Sequence, residues 1–145
     1  MSLTFRTASH SDLESVKMLL QHYDLPSSDV IEQIEHFIVV FDENILVGVG
    51  GYELTGQIGL VRSFAVHPEY SGQGIAESIF TRLLSQARED GIESFYLLTT
   101  TADGYFARLG FSVVSREEVP EAIKKTEQFS SLCPGSAIVM SKELL

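Results

Sequence analysis

Short apolar runs and alternating apolar positions divide the chain into strands, with helical spacing of apolar residues between several of them. Alternation over Leu3–Ala8 predicts a first strand, and the apolar residues from Leu13 to Tyr23 recur with the period of a helix. Turn residues at Asp42–Asn44 predict a hairpin. Six further strands are predicted at Phe37–Phe41, Ile45–Leu54, Gln57–His67, Ser94–Thr100, Phe111–Ser115 and Ser136–Ser141.

Helices are predicted in the remaining intervals. They cover a segment capped by Ser9, a short one at Pro26–Ile34, a long one from near Gly72 to Gly91, and two more at Ala102–Leu109 and Pro120–Ser130. The order β-α-α-β-β-β-α-β-α-β-α-β predicts an α/β fold with a mixed, twisted sheet flanked by helices. Gly48, Gly50 and Gly51 within one strand indicate a bulge or a close packing partner.

Length and composition favour one globular domain over residues 1–145. The net charge of −10 argues against general nucleic-acid binding, which needs a basic face. No apolar run approaches the roughly 20 residues that span a bilayer. The first residues do not resemble a secretory signal, so we expect a cytoplasmic protein. One cysteine and four scattered histidines predict no metal site.

A glycine-containing turn joins the strand ending at Val66 to the long helix. The first amides of a helix have no partners within it, and they point outward with the positive end of the helix dipole. Gly72 and Gly74 would let a ligand approach these amides, which makes the turn a candidate diphosphate site. The turn lacks the Lys-Ser or Lys-Thr of a P-loop, and Glu77 stands where a dinucleotide fingerprint has a small residue. A simple helix cap is the alternative.

The segment "VHPEYSGQGIA", Val66–Ala76, resembles the acetyl-CoA loop of the GNAT superfamily of N-acetyltransferases. The matching residues are Val66, Pro68, Gly72, Gly74 and Ala76, whereas Ser71 stands where the family prefers Gln or Arg. A second segment, "GYFARLGF" at Gly104–Phe111, resembles the family's Leu-Gly-Phe signature. The order of elements also matches the GNAT fold across nearly the whole chain.

This resemblance implies that acetyl-CoA is the cosubstrate. The strands Val61–Val66 and Phe95–Thr99 would separate at one end and admit the pantetheine arm, with Phe106 beside it. The implied cofactor-binding backbone groups belong to Phe64, Ala65 and Val66 for pantetheine, and to Ser71, Gly72, Gln73, Gly74, Ile75, Ala76 and Glu77 for the diphosphate.

The usual catalytic residues of the family are absent from their positions. The tyrosine that protonates the leaving thiolate is replaced by Phe106, and Tyr105 lies about 100° away around the helix. Leu60 stands where a glutamate is frequent, and Thr99 stands where an asparagine is. The general acid and the general base are therefore unassigned.

Three residues are candidates for contact with the acceptor. Arg62 alternates with Leu60 and Phe64 in an otherwise apolar strand. It would clamp a substrate carboxylate or oxyanion, or else form a salt bridge to an acid such as Glu53 or to the sheet rim. Glu53 is a candidate base, or else the partner of Arg62. Thr99, Thr100 and Thr101 would position the substrate or a water, or else favour the strand and cap the next helix. Cys133 would contact the substrate, or else be a small buried apolar residue.

The predicted function is acetyl transfer to the amine of a small molecule. The threonines and Phe106 resemble the branch linked to arsenic resistance and, more distantly, amino-acid N-acetyltransferases, so an amino acid or an amino-acid-like arsenical is the candidate acceptor. The alternatives are a silent acyl-CoA-binding or sensor module and an acetyltransferase for protein N-termini or lysines. The resemblance leaves a homodimer open.

Overall fold

A seven-stranded mixed sheet forms the centre of the computed structural model, which describes residues 2–23, 25, 27, 30–99, 102–126 and 137–144. The strands are β1 (Leu3–Thr7), β2 (Phe37–Asp42), β3 (Ile45–Thr55), β4 (Ile58–Val66), β5 (Ser94–Thr99), β6 (Ser112–Val114) and β7 (Ile138–Glu143). Their spatial order is β1-β2-β3-β4-β5-β7-β6. Every neighbouring pair is antiparallel except β4 and β5, which are parallel.

Helices cover both faces of this sheet. They are α1 (Leu13–His22), α2 (Ile75–Glu89), α3 (Asp103–Arg108) and α4 (Glu121–Lys124). The α2 face buries Ile79 and Leu83 of α2 with Phe106 of α3. The opposite face buries Val16 and Leu20 of α1 in one cluster and Ile123 of α4 in another. The predicted α/β class, with a mixed sheet flanked by helices, is confirmed.

Two predicted helices differ from those observed. The segment predicted as a helix at Pro26–Ile34 has a 3₁₀ helix at Val30–His36, with a kink at Gln33. Helix α4 ends at Lys124 rather than near residue 130. The other boundaries agree within a few residues, which is the usual uncertainty at helix ends.

A bulge in β4 changes which side chains face which helix. Ser63 and Phe64 together oppose Gly50 of β3, and Ser63 adopts a positive φ of 61°. The extra residue moves Phe64 to the α2 face, where its ring and Ile79 both lie next to Gly50. Leu60 lies on the other face and packs with α4. The prediction from strict alternation, that Phe64 and Leu60 share a face, is therefore wrong.

Candidate active site

Strands β4 and β5 separate at one end, as the resemblance implied. Their pairing ends at Val61 opposite Leu97, although β4 continues to Val66 and β5 to Thr99. We call the space between these unpaired ends the β4–β5 gap. A gap beside a strand exposes backbone groups that an extended ligand can pair with.

The ladder on the other side of β4 determines which of its backbone groups face the gap. The His67 amide donates to the Val47 carbonyl at 2.7 Å. Because donors alternate along an antiparallel pair, the amide and carbonyl of Val66 point toward the gap, and those of Ala65 point toward its partner Val49. Val66 thus remains a candidate pantetheine contact, whereas the Ala65 backbone is used within the sheet.

Two aromatic features border the gap. The Phe64 and Phe106 rings lie edge to face with centroids 6.3 Å apart. The Tyr23 hydroxyl, at the end of α1, donates to the Val66 carbonyl at 2.5 Å. No sequence signal pointed to Tyr23, because the contact joins residues 43 positions apart.

The glycine turn ends in a helix start with exposed amides. Gly74 is the N-cap residue of α2 and adopts a left-handed conformation, with φ 75° and ψ 13°. The first helical hydrogen bond runs from the Ser78 amide to the Gly74 carbonyl at 3.0 Å, so the preceding amides have no partner within the helix. The Ser71 amide, unlike those amides, already has a partner: it and the Ser71 hydroxyl both donate to the Pro68 carbonyl.

Side chains hold this turn against the β2–β3 hairpin. The Tyr70 hydroxyl donates to the Asp42 carboxylate at 2.5 Å, and the Ser2 amide donates to the same carboxylate at 3.1 Å. These bonds hold the pKa of the Asp42 carboxyl below its usual range. The Glu69 amide donates to Nδ1 of His67 at 3.2 Å, so the turn has a fixed shape before any ligand is bound.

The residues around the turn and the gap fit the diphosphate and pantetheine of CoA. A Cβ placed at Gly72 or Gly74 would meet no atom within 4 Å, which leaves open space directly beside the exposed amides. The buried hydroxyl oxygen of Tyr105 has no hydrogen-bond partner in the part of the chain that the structure describes. Backbone amides with open space beside them are groups that an anionic ligand can bind.

Arg62 lies on the other face of β4, between the α1 and α4 clusters. Its side chain is 1% exposed, and its Nη1 lies 3.5 Å from the Glu53 carboxylate. Its Nε donates to the Ser63 hydroxyl at 3.0 Å. The predicted ion pair with Glu53 is therefore confirmed, and the bulge residue Ser63 supplies a contact that the sequence did not indicate.

Of the threonines and Cys133, the structure describes Thr99. The Thr99 hydroxyl accepts a hydrogen bond from the amide of Ala102, the N-cap residue of α3, at 2.9 Å, but no side chain caps the amides inside that helix. Thr100, Thr101 and Cys133 lie outside the described residues.

Metal-binding clusters and membrane-spanning helices are both absent from the described residues. No cluster of three or more His, Cys, Asp or Glu side chains there is arranged to hold a metal ion. Within the same residues, no helix has the length and apolar character required to cross a membrane.

Comparison with known families identifies the class of protein. Residues 33–113 match the acetyltransferase (GNAT) domain family, which is more than half of the 145 residues. The chain therefore belongs to this family, whose members are N-acetyltransferases that use acetyl-CoA as the acetyl donor.

Individual relatives refine this assignment. The amino-acid acetyltransferase of Salmonella arizonae is 30% identical over 95 residues, which cover 64% of this chain and 21% of that protein. The chain thus spans about a fifth of the length of the curated relatives it matches.

Two solved structures share the fold. N-acetylglutamate synthase from Neisseria gonorrhoeae, complexed with coenzyme A and N-acetyl-glutamate, has a TM-score of 0.86 at 21% identity, covering 100% of this chain and 36% of that one. Rv2747 from Mycobacterium tuberculosis, complexed with CoA and NLQ, has a TM-score of 0.81 at 25% identity, covering 98% and 99%.

Proposed function

We propose that the protein transfers the acetyl group of acetyl-CoA to the amine of a small amino-acid-like molecule. The main observation behind this proposal is the β4–β5 gap, which opens beside the exposed amides at the start of α2. Arg62 lies buried on the opposite face of β4. Relatives named as amino-acid acetyltransferases support an amino acid as the acceptor.

Backbone groups of this chain bind the donor. The amide and carbonyl of Val66 pair with the pantetheine arm, and the amides of Gly72 to Glu77 bind the diphosphate at the start of α2. The acceptor nitrogen, as the neutral amine, attacks the thioester carbonyl carbon, and the C–S bond breaks with its electron pair on the CoA sulfur. The proton lost by the nitrogen reaches that sulfur through water, which gives the acetylated amine and free CoA thiol. The backbone amide of Phe64 or of Val66 stabilises the developing oxyanion.

Side chains on the opposite face favour the acceptor. The buried Arg62 guanidinium attracts the acceptor's carboxylate by its charge and not by direct contact, and Glu53 orients the guanidinium through their ion pair. Thr99 acts through the hydrogen bond that its hydroxyl accepts from the Ala102 amide, at the start of α3. An amino-acid-like arsenical presents similar groups, so it belongs among the acceptors to be tested.

Two measurements test this function. CoA should raise the temperature of thermal unfolding, since a ligand that binds only the folded state stabilises it. Release of free thiol from acetyl-CoA should then depend on an added acceptor, compared across amino acids, an amino-acid-like arsenical, and peptides with free N-termini or lysines.

The outcomes separate the alternatives. Thiol release with free amino acids or the arsenical, but not with peptides, supports the proposal and identifies the acceptor. Release with peptides alone contradicts it in favour of a protein acetyltransferase. CoA binding without release for any amine contradicts it in favour of a silent binding module, in keeping with Phe106 at the position of the usual acid.

A further inference from the structure

The Tyr23 hydroxyl is bound to a backbone group that the proposed donor site needs. It donates to the Val66 carbonyl at 2.5 Å. The N–H of the same peptide belongs to His67 and points to β3, where it donates to the Val47 carbonyl. Because the C=O and N–H of a trans peptide point in opposite directions, the Val66 carbonyl points away from β3 and into the β4–β5 gap. The Tyr23 oxygen therefore lies at the gap.

Tyr23 reaches the gap from α1, on the face of the sheet where Arg62 lies. Its backbone is fixed, because it is the C-cap residue of α1 and its amide donates to the Leu20 carbonyl at 3.1 Å. Its side chain is less constrained: the residue is 41% exposed, and its ring meets the His22 ring edge to face with centroids 5.0 Å apart. Exposed side chains change rotamer within nanoseconds, so the hydroxyl can leave the gap without unpacking the core.

A pantetheine arm paired with β4 needs the same oxygen. An amide of the arm would donate to the Val66 carbonyl with its nitrogen about 2.9 Å from the oxygen. The Tyr23 hydroxyl already lies within that distance of the oxygen in the free protein. A carbonyl oxygen has two lone pairs, but this one points into the gap, where the arm and the phenol ring would both have to fit.

We infer that Tyr23 competes with the pantetheine arm for the Val66 carbonyl, so that its side chain turns out of the gap when CoA binds. This inference rests on the proposed pairing of Val66 with the arm. The carbonyl has a donor in both states, first the phenol and then the arm. Only molecules with Tyr23 turned out are competent to bind, and the apparent affinity for CoA is reduced by their fraction.

The substitution Tyr23→Phe removes the competing hydroxyl and keeps the ring. The CoA dissociation constant should fall about fivefold, the change expected when binding no longer displaces one ordinary hydrogen bond. The affinity for ADP should stay the same, because ADP has a diphosphate for the amides at the start of α2 but no pantetheine arm. The unfolding temperature of the free protein should not rise, since the bond to Val66 is lost. Structural damage alone would not make CoA bind more tightly.

Tyr70→Phe is the matched control. The Tyr70 hydroxyl also donates at 2.5 Å, but to the Asp42 carboxylate, in a bond that holds the turn before α2. This variant should bind both CoA and ADP about threefold more weakly. The two substitutions of tyrosine by phenylalanine should therefore change the CoA affinity in opposite directions.

Three results in calorimetric titration would overturn the inference. An unchanged CoA affinity in Tyr23→Phe would mean that both donors share the carbonyl, and a weaker affinity would mean that Tyr23 supports the arm. Equal gains for CoA and ADP would place the effect in the turn and not at Val66. If the unaltered protein fails to bind CoA, the proposed function fails together with this role for Tyr23. If it binds CoA and Tyr23→Phe does not bind it more tightly, only the role of Tyr23 fails.

Discussion

The two faces of β4 differ in the chemical groups that they offer to a ligand. On the α2 face and along the gap, a ligand meets backbone amides and carbonyls of Val66 and of the turn before α2. Gly72 and Gly74 contribute by having no side chain, which leaves space beside these amides. On the α1 face, the groups are the side chains of Arg62 and Glu53, brought together from two strands. A backbone site depends on local conformation, whereas a side-chain site depends on residue identity at separated positions.

This difference can be tested by changing each region separately. If the comparison is correct, a variant of one region should alter either CoA binding or acceptor binding and leave the other nearly unchanged.

Gly74→Glu should weaken CoA binding by at least about a hundredfold, because like charges about 4 Å apart near a protein surface repel by several kcal/mol. The control is Gly56→Glu in the β3–β4 turn, since Gly56 also has a positive φ, 64°, and open space around it. Both variants should lose about 1 kcal/mol of stability from the left-handed backbone. Calorimetric titration with CoA would contradict the site at Gly74 if the two variants bound equally well.

Arg62→Gln should raise the acceptor KM about thirtyfold and leave the CoA dissociation constant within about twofold. The free energy of unfolding should fall by about 3 kcal/mol, since Glu53 loses its buried partner. Glu53→Gln is the matched control, because it breaks the same ion pair but keeps the guanidinium. An acceptor KM that changed equally in both variants would indicate that Arg62 acts only through its ion pair.

Asp12→Asn should lower stability by about 1–2 kcal/mol at neutral pH without affecting CoA binding. The Asp12 carboxylate accepts two hydrogen bonds from Arg6, at 2.8 and 2.9 Å, and one from the Ser9 amide at 2.8 Å, where the chain enters α1.

The pH dependence of this effect follows from the same contacts. The Arg6 guanidinium holds the pKa of the Asp12 carboxyl below its usual range. The stabilisation is therefore present above the usual pKa of an aspartate and is lost as pH falls through the lower folded-state value. In urea unfolding, the free energies of unfolding of the unaltered protein and of Asp12→Asn should become equal below about pH 3. If they differed by the same amount at every pH, the ionised carboxylate would not be the source of the stabilisation.

Tyr70→Phe should weaken CoA binding about threefold, because one neutral-to-charged hydrogen bond holds the turn and its loss is partly compensated by water. Asp42→Asn should have a similar effect, and the double variant should show no more than the larger single effect. Additive losses would indicate that Tyr70 and Asp42 act independently and do not form one tether.

The sequence predicted the backbone site better than the side-chain site, for a physical reason. A strand, a glycine turn and a helix start are consecutive in the chain, so their pattern is visible between Val66 and Ala76. Contacts such as Tyr23 with Val66, or Tyr70 with Asp42, join residues 43 and 28 positions apart, and nothing local marks them. The Arg62–Glu53 pair was predicted only as one of two alternatives, because both residue types are compatible with either role.

Because of the Ser63 bulge, β4 has one residue more than the part of β3 that it pairs with, and this extra residue matters separately from the chemistry of its side chain. Replacing Ser63 by glycine would keep both faces of the strand in place and would suit its φ of 61°. Removing Ser63 would restore simple alternation and leave Phe64, Ala65 and Val66 on their present faces, because each would keep its position opposite β3. The bulge therefore lets β4 hold one residue more than its partner without exchanging the faces on which the proposed donor and acceptor groups lie.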